Sequence, residues 1–289
     1  MGCCDRGHPY AVLAARQQLW SDLRPIARSG NVPILARLMK RGLRLPMPEV
    51  VVMAYTQKQK TEYIRSQEGV TVHIPAGQVL LEGDFRIPEP AQGLVLFAHG
   101  SGSSRHSPRN RYVARVLRQA GFATLLFDLL TPEEESVDMQ TAALRFDIDL
   151  LAQRLLHATD WAVQQPQIEG LMIGYFGAST GAAAALVAAA DGRPHLGAVV
   201  SRGGRPDLAG AALPRVEAPT LLIVGGEDVP VIEMNRRALE LLRCEKRLEI
   251  VPGATHLFEE PGTLEEVARL ACTWFSAHLH ERRGRARVA

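Results

Sequence analysis

The chain has 289 residues, 46% hydrophobic and 22% charged. That balance excludes collagen-like, low-complexity and disulfide-dense classes and leaves enough apolar material to bury one large α/β core or two small ones. With 33 Lys and Arg against 31 Asp and Glu the net charge is only +2, so no global field draws nucleic acid.

Along the chain, residues 1–66 come first and stand apart. Residues 1–50 hold 8 Lys/Arg and 3 Asp/Glu, a local +5, so the rest of the chain carries 2 − 5 = −3. The stretches YAVLAARQQLW and PILARLMKRG read as short helices interrupted at Gly30 and Pro33. Leu13, Leu19, Trp20, Leu23 and Ile26 give this extension an apolar face that calls for a surface to dock on. Four uses stay open for the segment: a cap over a site, a homo-oligomer arm through residues 1–66, a mobile extension, or upstream sequence ahead of a later start at Met47 or Met53. The opening MGCCDR lacks the Ser or Thr that a myristoylation signal needs at position 6. No charged-then-apolar leader follows it. The four cysteines include no CxxC pair and there is no HExxH, so neither a disulfide framework nor zinc is expected. Cys244 and Cys272 fall in helix-like segments. The expected location is the cytoplasm.

From Gly69 strand and helix signals alternate. GVTVHIP and QVLLEGDFRIP read as an antiparallel pair, and LVLFAHG (94–100) as a buried parallel strand. Ser107-Pro108 opens a helix with Val113, Val116, Leu117 and Ala120 on one face, closed by Gly121. FATLLFD (122–128) is the next strand. One long helix with Leu144, Ile148, Leu151 and Leu155 inward should follow it. Residues 170–190 contain no charge, yet their glycines, Ser179 and Thr180 suit a strand, a turn and an Ala-rich helix better than a membrane span. GAVVS (197–201), TLLIVGGED (220–228), a helix over 231–242 and RLEIVPG (247–253) continue the rhythm. The last helix should start at Thr263 with Glu266 completing a capping box, and turn Leu264, Val267, Ala271, Trp274 and Phe275 inward. The predicted domain is thus 67–280, and the basic 281–289 forms a frayed tail. Such alternation implies a mostly parallel sheet with helices on both faces, and chemistry at the strands' carboxyl ends.

The strongest chemical signal is Gly177-Ala178-Ser179-Thr180-Gly181, a G-x-S-x-G set between an apolar strand and a helix. That context fits a nucleophile elbow, a tight turn that exposes a serine at a helix N-terminus. The elbow requires the chain order Ser, acid, His. Asp228 ends a strand 228 − 179 = 49 residues later, and His256 follows the next strand after 256 − 228 = 28 more. Glu227 is the competing acid. An acyl-transfer serine also needs two N–H donors for the oxyanion. Thr180 offers one and Ser101, in the loop after LVLFAHG, offers the other, with Gly102 as the fallback. His99 suits a structural hydrogen-bonding role. Only residues 202–218 separate GAVVS and its flank from the next strand, which leaves little or no room for a lid.

The motifs HGSGSSRHSPRN, GYFGASTG, SRGGRPDL, GGEDVPV and the late Gly-Ala-Thr-His resemble the dienelactone hydrolase-like branch of the α/β-hydrolases over roughly residues 69–280. The resemblance implies an α/β-hydrolase fold with Ser179 as nucleophile, Asp228 as acid and His256 as base. Dienelactone hydrolases proper use Cys as nucleophile, so Ser179 points to general ester hydrolysis of a small to medium substrate. The family's carboxylate-binding arginines match no positions here. Arg202 and Arg205, near a strand end, are candidates to bind an anionic substrate group. No cofactor or metal is implied. Glu133-Glu134-Glu135 reads as a solvated loop rather than a cation site. VLFAHGSGSSR with Asp128 imitates a dinucleotide fingerprint but has Arg105 at its third glycine. Two alternatives stand beside the serine esterase: a non-enzymatic binding protein on the same fold, and a peptidase or acyltransferase using the same triad.

Overall fold

The computed structural model describes residues 69–279. The extension 1–66 with its expected oligomer contact, and the tail 281–289, lie outside the described residues. The strands are β1 (Val70–Ala76), β2 (Val79–Arg86), β3 (Leu94–Ala98), β4 (Ala123–Phe127), β5 (Ile173–Ala178), β6 (Leu196–Arg202), β7 (Thr220–Gly225) and β8 (Lys246–Val251). They form one eight-stranded sheet in the order β1-β2-β4-β3-β5-β6-β7-β8. The first two joints, β1/β2 and β2/β4, are antiparallel and all the others parallel. The helices are α1 (Pro108–Gln119), α2 (Pro132–Thr141), α3 (Ile148–Val163), α4 (Thr180–Ala189), α5 (Val229–Leu241) and α6 (Thr263–His278).

The burial pattern explains the order. β3, β4, β5 and β7 are buried at every position, as parallel strands covered on both faces must be. Along β3 the side chains alternate between two cores. Leu94, Leu96 and Ala98 join α3 and α4 on one face. Val95 and Phe97 join α1 and α6 on the other. β1 and β2 instead alternate exposed and buried, which suits an antiparallel edge covered on one side. The uncharged stretch 170–190 is the central strand β5, a turn and α4. Among the described residues no helix is long and apolar enough to cross a membrane.

Four expectations are corrected. The single long helix breaks in two: Ala142 turns left-handed (φ 52°) and ends α2, and Asp147 caps α3 by accepting from the Leu150 amide at 3.0 Å. Between them Asp138 holds the chain, accepting from the amides of Leu144 and Arg145 at 2.8 and 3.0 Å and from Arg145 Nε at 2.6 Å. Glu133-Glu134-Glu135 is the first turn of α2, not a loop. Its start is a true capping box, in which Thr131 Oγ1 accepts from the Glu134 amide and the Thr131 amide donates to Glu134 Oε2. The box expected at Thr263 and Glu266 does not form. Gly262 takes the cap at φ 84°, and Glu266 pairs with Arg269. Cys244, moreover, lies in the bend before β8, where its thiol reaches the Thr220 hydroxyl at 3.7 Å, and not in a helix.

Candidate active site

Ser179 sits between β5 and α4 with φ 51° and ψ −120°. A non-glycine residue with this backbone is strained and persists only where its surroundings fix it. Its amide donates to the Arg202 carbonyl at 3.3 Å, and its carbonyl accepts from the Ala182 and Arg205 amides, each at 3.1 Å. Two glycines make the turn sterically possible. A Cβ on Gly177 would lie 2.4 Å from Ala182 Cα, and one on Gly181 would lie 2.3 Å from the Ala98 carbonyl oxygen. Strand β3, its following loop and α4 therefore close on one another only without those side chains.

Asp228 and His256 come together as the spacing predicts. The Asp228 turn is built on β7 and β8 by Gly226 N–H to Val251 O at 2.8 Å and Glu227 N–H to Ala254 O at 2.9 Å. His256 Nδ1 lies 2.6 Å from Asp228 Oδ2. The Asp228 side chain is 13% exposed and that of His256 37%. With the carboxylate as acceptor, Nδ1 carries the hydrogen and Nε2 is free to accept. The Glu227 side chain points to solvent and makes no hydrogen bond among the described residues. His256 Cε1 lies 3.6 Å from the Cβ position of Gly203. The imidazole is thus one residue along from the carbonyl that holds Ser179. The Ser179 hydroxyl makes no hydrogen bond among the described residues, which is common for such groups before substrate tightens the site.

The loop after β3 carries the other predicted parts. Gly100 to Ser103 is a turn closed by Ser103 N–H to Gly100 O at 3.2 Å, with Gly102 at φ 65°. Gly100 packs on Ser179, its Cβ position 3.0 Å from Ser179 Cβ. The Ser101 amide donates to Thr180 Oγ1 at 3.0 Å, so a threonine oxygen already occupies that donor. Thr180 opens α4, where its own amide is among the first-turn donors without a helical acceptor. His99 is structural. Its Nε2 accepts from the Leu129 amide at 3.0 Å and Nδ1 faces the Gly100 carbonyl at 3.1 Å. Burial holds it below the usual histidine range, against the Gly100 hydrogen bond and the Asp128 charge, so it stays neutral.

The family model for "Dienelactone hydrolase family" matches residues 85–279. The chain belongs to this family. A crystal structure of a dienelactone hydrolase from Anabaena variabilis is 63% identical, with a TM-score of 0.72, over 73% of this chain and 98% of that one. Est1E from Butyrivibrio proteoclasticus, 16% identical with a TM-score of 0.61 over 72% of this chain and 98% of its own, shows the fold alone. Two Mycobacterium tuberculosis proteins, of strains CDC 1551 and H37Rv, are provisionally named phosphoribosyl transferases. They are 63% identical over 208 residues, which is 72% of this chain and 46% of each relative. The chain thus spans about half the length of those relatives. The described residues have the α/β-hydrolase fold of that family, and among them no lid covers the strand ends.

Within this fold the two candidate arginines have other neighbours. Arg205 is held in a bidentate pair by Asp207, at 2.9 and 2.7 Å. Arg202 is 5% exposed and turns into the α1/α6 face. Its guanidinium lies 3.5 Å from Asn110 Oδ1 and 5.8 Å from the centre of the Phe258 ring. Burial, reinforced by the like charge of Arg109, pushes it down to about 10. Sequence reasoning missed the role of Arg105, which appeared only as the residue spoiling a dinucleotide motif. Its amide donates to Asp128 Oδ1 at 2.7 Å, and its guanidinium bonds Asp128 and reaches Glu82 at 2.6 Å. Asp128, which a dinucleotide fold would turn to a ribose, here ties the Ser101 loop to the end of β4. No metal-holding group of three His, Cys, Asp or Glu occurs among the described residues.

Proposed function

We propose that the protein is a serine hydrolase that cleaves a carboxylic ester of a small to medium substrate through Ser179, His256 and Asp228. The observation that carries this reading is the His256–Asp228 pair at 2.6 Å, with the His256 ring against Gly203, the residue next to the Arg202 carbonyl that accepts from the strained Ser179 (φ 51°). His256 Nε2 takes the Ser179 proton as Oγ attacks the ester carbonyl. Asp228 keeps the hydrogen on Nδ1 and stabilises the imidazolium that forms. The oxyanion of the tetrahedral intermediate accepts from the Thr180 amide and from the Ser101 amide, which exchanges Thr180 Oγ1 for the substrate oxygen. His256 then protonates the leaving alcohol. In the second half it activates a water that attacks the acyl-Ser179 carbonyl, and Ser179 recovers its proton.

No metal or organic cofactor enters these steps. The name of the two mycobacterial relatives belongs to longer proteins, of which the match covers 46%, and the matched part of this chain carries an elbow suited to acyl chemistry. The test is Ser179→Ala. Loss of a triad nucleophile costs on the order of 10⁴–10⁶ in kcat, so p-nitrophenyl butyrate hydrolysis should vanish while the circular dichroism spectrum is kept. A fluorophosphonate probe should label the wild type at Ser179 and leave the variant unlabelled. A variant within tenfold of wild type refutes the reading.

A further inference from the structure

A cavity of about 310 Å³ opens beside the nucleophile, on the side of the expected oxyanion donors: Ser101 and Thr180 line it. Leu130 and Leu151 form part of its apolar wall, and the first turn of α2 supplies Glu135. The three consecutive glutamates of that turn differ in their partners: Glu133 and Glu135 are both exposed and Glu134 is half-buried, but only Glu135 lines the cavity. Glu133 faces solvent. Glu134 completes the capping box and pairs with Arg154 at 2.6 Å. Glu135 faces the cavity, and among the described residues its carboxylate forms no hydrogen bond or ion pair.

The cations nearby are already engaged. Arg145, also in the lining, is held by Asp138 through Nε at 2.6 Å and by the Asp138 carbonyl at 2.9 Å. Arg105 is held by Asp128 and Glu82. Of the charged side chains in the lining, Glu135 and Asp138 oppose Arg145 alone, so the cavity carries a surplus negative charge at Glu135. Partial burial raises the Glu135 carboxyl, and the neighbouring Asp128 and Asp138 raise it further while Arg105 opposes them. That ordering fits a carboxylate lacking a partner of its own.

We propose that this cavity selects the ester's substituent by charge, accepting a cationic group and disfavouring an anionic one, with Glu135 as the specificity-determining residue. The inference rests on the ester-hydrolase reading above. It places a negative group where a carboxylate-bearing substrate would have to sit, and it assigns the cation preference to one side chain that takes no part in bond making.

Two matched ester series test it on the full chain at pH 8. One varies the acyl group of p-nitrophenyl esters: trimethylammoniobutyrate, pentanoate and monoadipate. The other varies the alcohol of acetate esters: choline, its neutral isostere 3,3-dimethylbutanol, and glycolate. The readout is kcat/KM for the cationic over the anionic ester, each corrected for spontaneous hydrolysis. A unit charge a few ångströms away in a half-solvated site changes such a ratio by about tenfold. The wild type should favour the cation by about that factor in at least one series. Glu135→Gln should cut the ratio at least about fivefold, Glu135→Lys should reverse it, and Glu133→Gln, one turn position away and facing solvent, should leave it unchanged. No charge preference in either series, or a ratio equally altered by Glu133→Gln, overturns the proposal while leaving the esterase reading intact. Hydrolysis that survives Ser179→Ala, or no hydrolysis at all, overturns the esterase reading and this proposal with it.

Discussion

Replacing Asp228 by Asn keeps the shape of the acid and removes its charge. In the wild type the carboxylate is 2.6 Å from His256 Nδ1 and mostly buried. When His256 takes the Ser179 proton, the imidazolium faces a full negative charge about 4 Å from its centre. At an effective dielectric near 20 that interaction is about 4 kcal/mol, close to 10³ in rate. The half-open imidazole (37% exposed) lets water screen part of it. The Asn amide adds a second loss, because its N–H₂ can face Nδ1 and favour the wrong tautomer, as in serine proteases where the same change costs on the order of 10⁴. We therefore expect kcat to fall by about 10³, with KM for p-nitrophenyl butyrate nearly unchanged. Glu227→Gln, at an exposed side chain without a hydrogen bond, should stay within about twofold. Asp228→Asn within tenfold of wild type, or a larger loss from Glu227→Gln, would show that the acid has been misassigned.

Gly181→Ala should cost about 3 kcal/mol or prevent folding, because the new Cβ meets the Ala98 and His99 carbonyl oxygens at 2.3 and 2.4 Å and neither is free to move. Thermal melting and soluble yield check it. Arg154→Met removes the 2.8 Å bond to the Ala76 carbonyl and the 2.6 Å pair with Glu134. Since Glu134 is still partly solvated, the expected loss is about 2 kcal/mol, roughly 4–8 °C in Tm, by calorimetry. Deleting residues 1–60 should leave hydrolysis of a small activated ester intact, since the strands and Ser179, Asp228 and His256 all follow Gly69. It should change the elution volume, the Tm or the acyl-length preference. Identical behaviour of both forms in all three would make the segment's apolar positions irrelevant to this domain.

The sheet was legible because parallel strands buried on both faces leave unbroken apolar runs, and LVLFA, ATLLF, IGYFGA and TLLIVG are four such runs. The candidate serine, acid and histidine stood out because each lies in the turn or loop that follows a strand, where turn residues interrupt the apolar pattern. What failed was local polar chemistry. The apolar spacing of Leu144, Ile148, Leu151 and Leu155 runs unbroken across the start of α3, and only the Asp138 carboxylate, gathering the Leu144 and Arg145 amides, shows why the chain breaks there. Thr131 and Thr263 both precede a glutamate by three positions, yet only Thr131 caps. Before Thr263 stands Gly262, which adopts φ 84° without the Cβ penalty and takes the cap position itself. The Arg105 clamp spans 23 residues to Asp128, a separation at which an ion pair leaves no periodic trace.

Arg105 also explains how a glycine- and serine-rich loop can serve as fixed machinery. The stretch from His99 to Ser104 has few side chains large enough to anchor it by packing, and Gly102 adds conformational freedom. Three groups hold it instead. His99 ties its start to Leu129, Arg105 ties its end to Asp128 and Glu82, and the Ser101 amide rests on Thr180 Oγ1. The first two contacts run to Asp128 and Leu129, just past the end of β4, and to Glu82 in β2. In the proposed mechanism the third is the one that a substrate oxygen replaces. An amide donor that is prealigned by its neighbours and loosely occupied by a neutral hydroxyl needs little reorganisation when negative charge develops beside it, which is the condition under which such donors contribute most to rate.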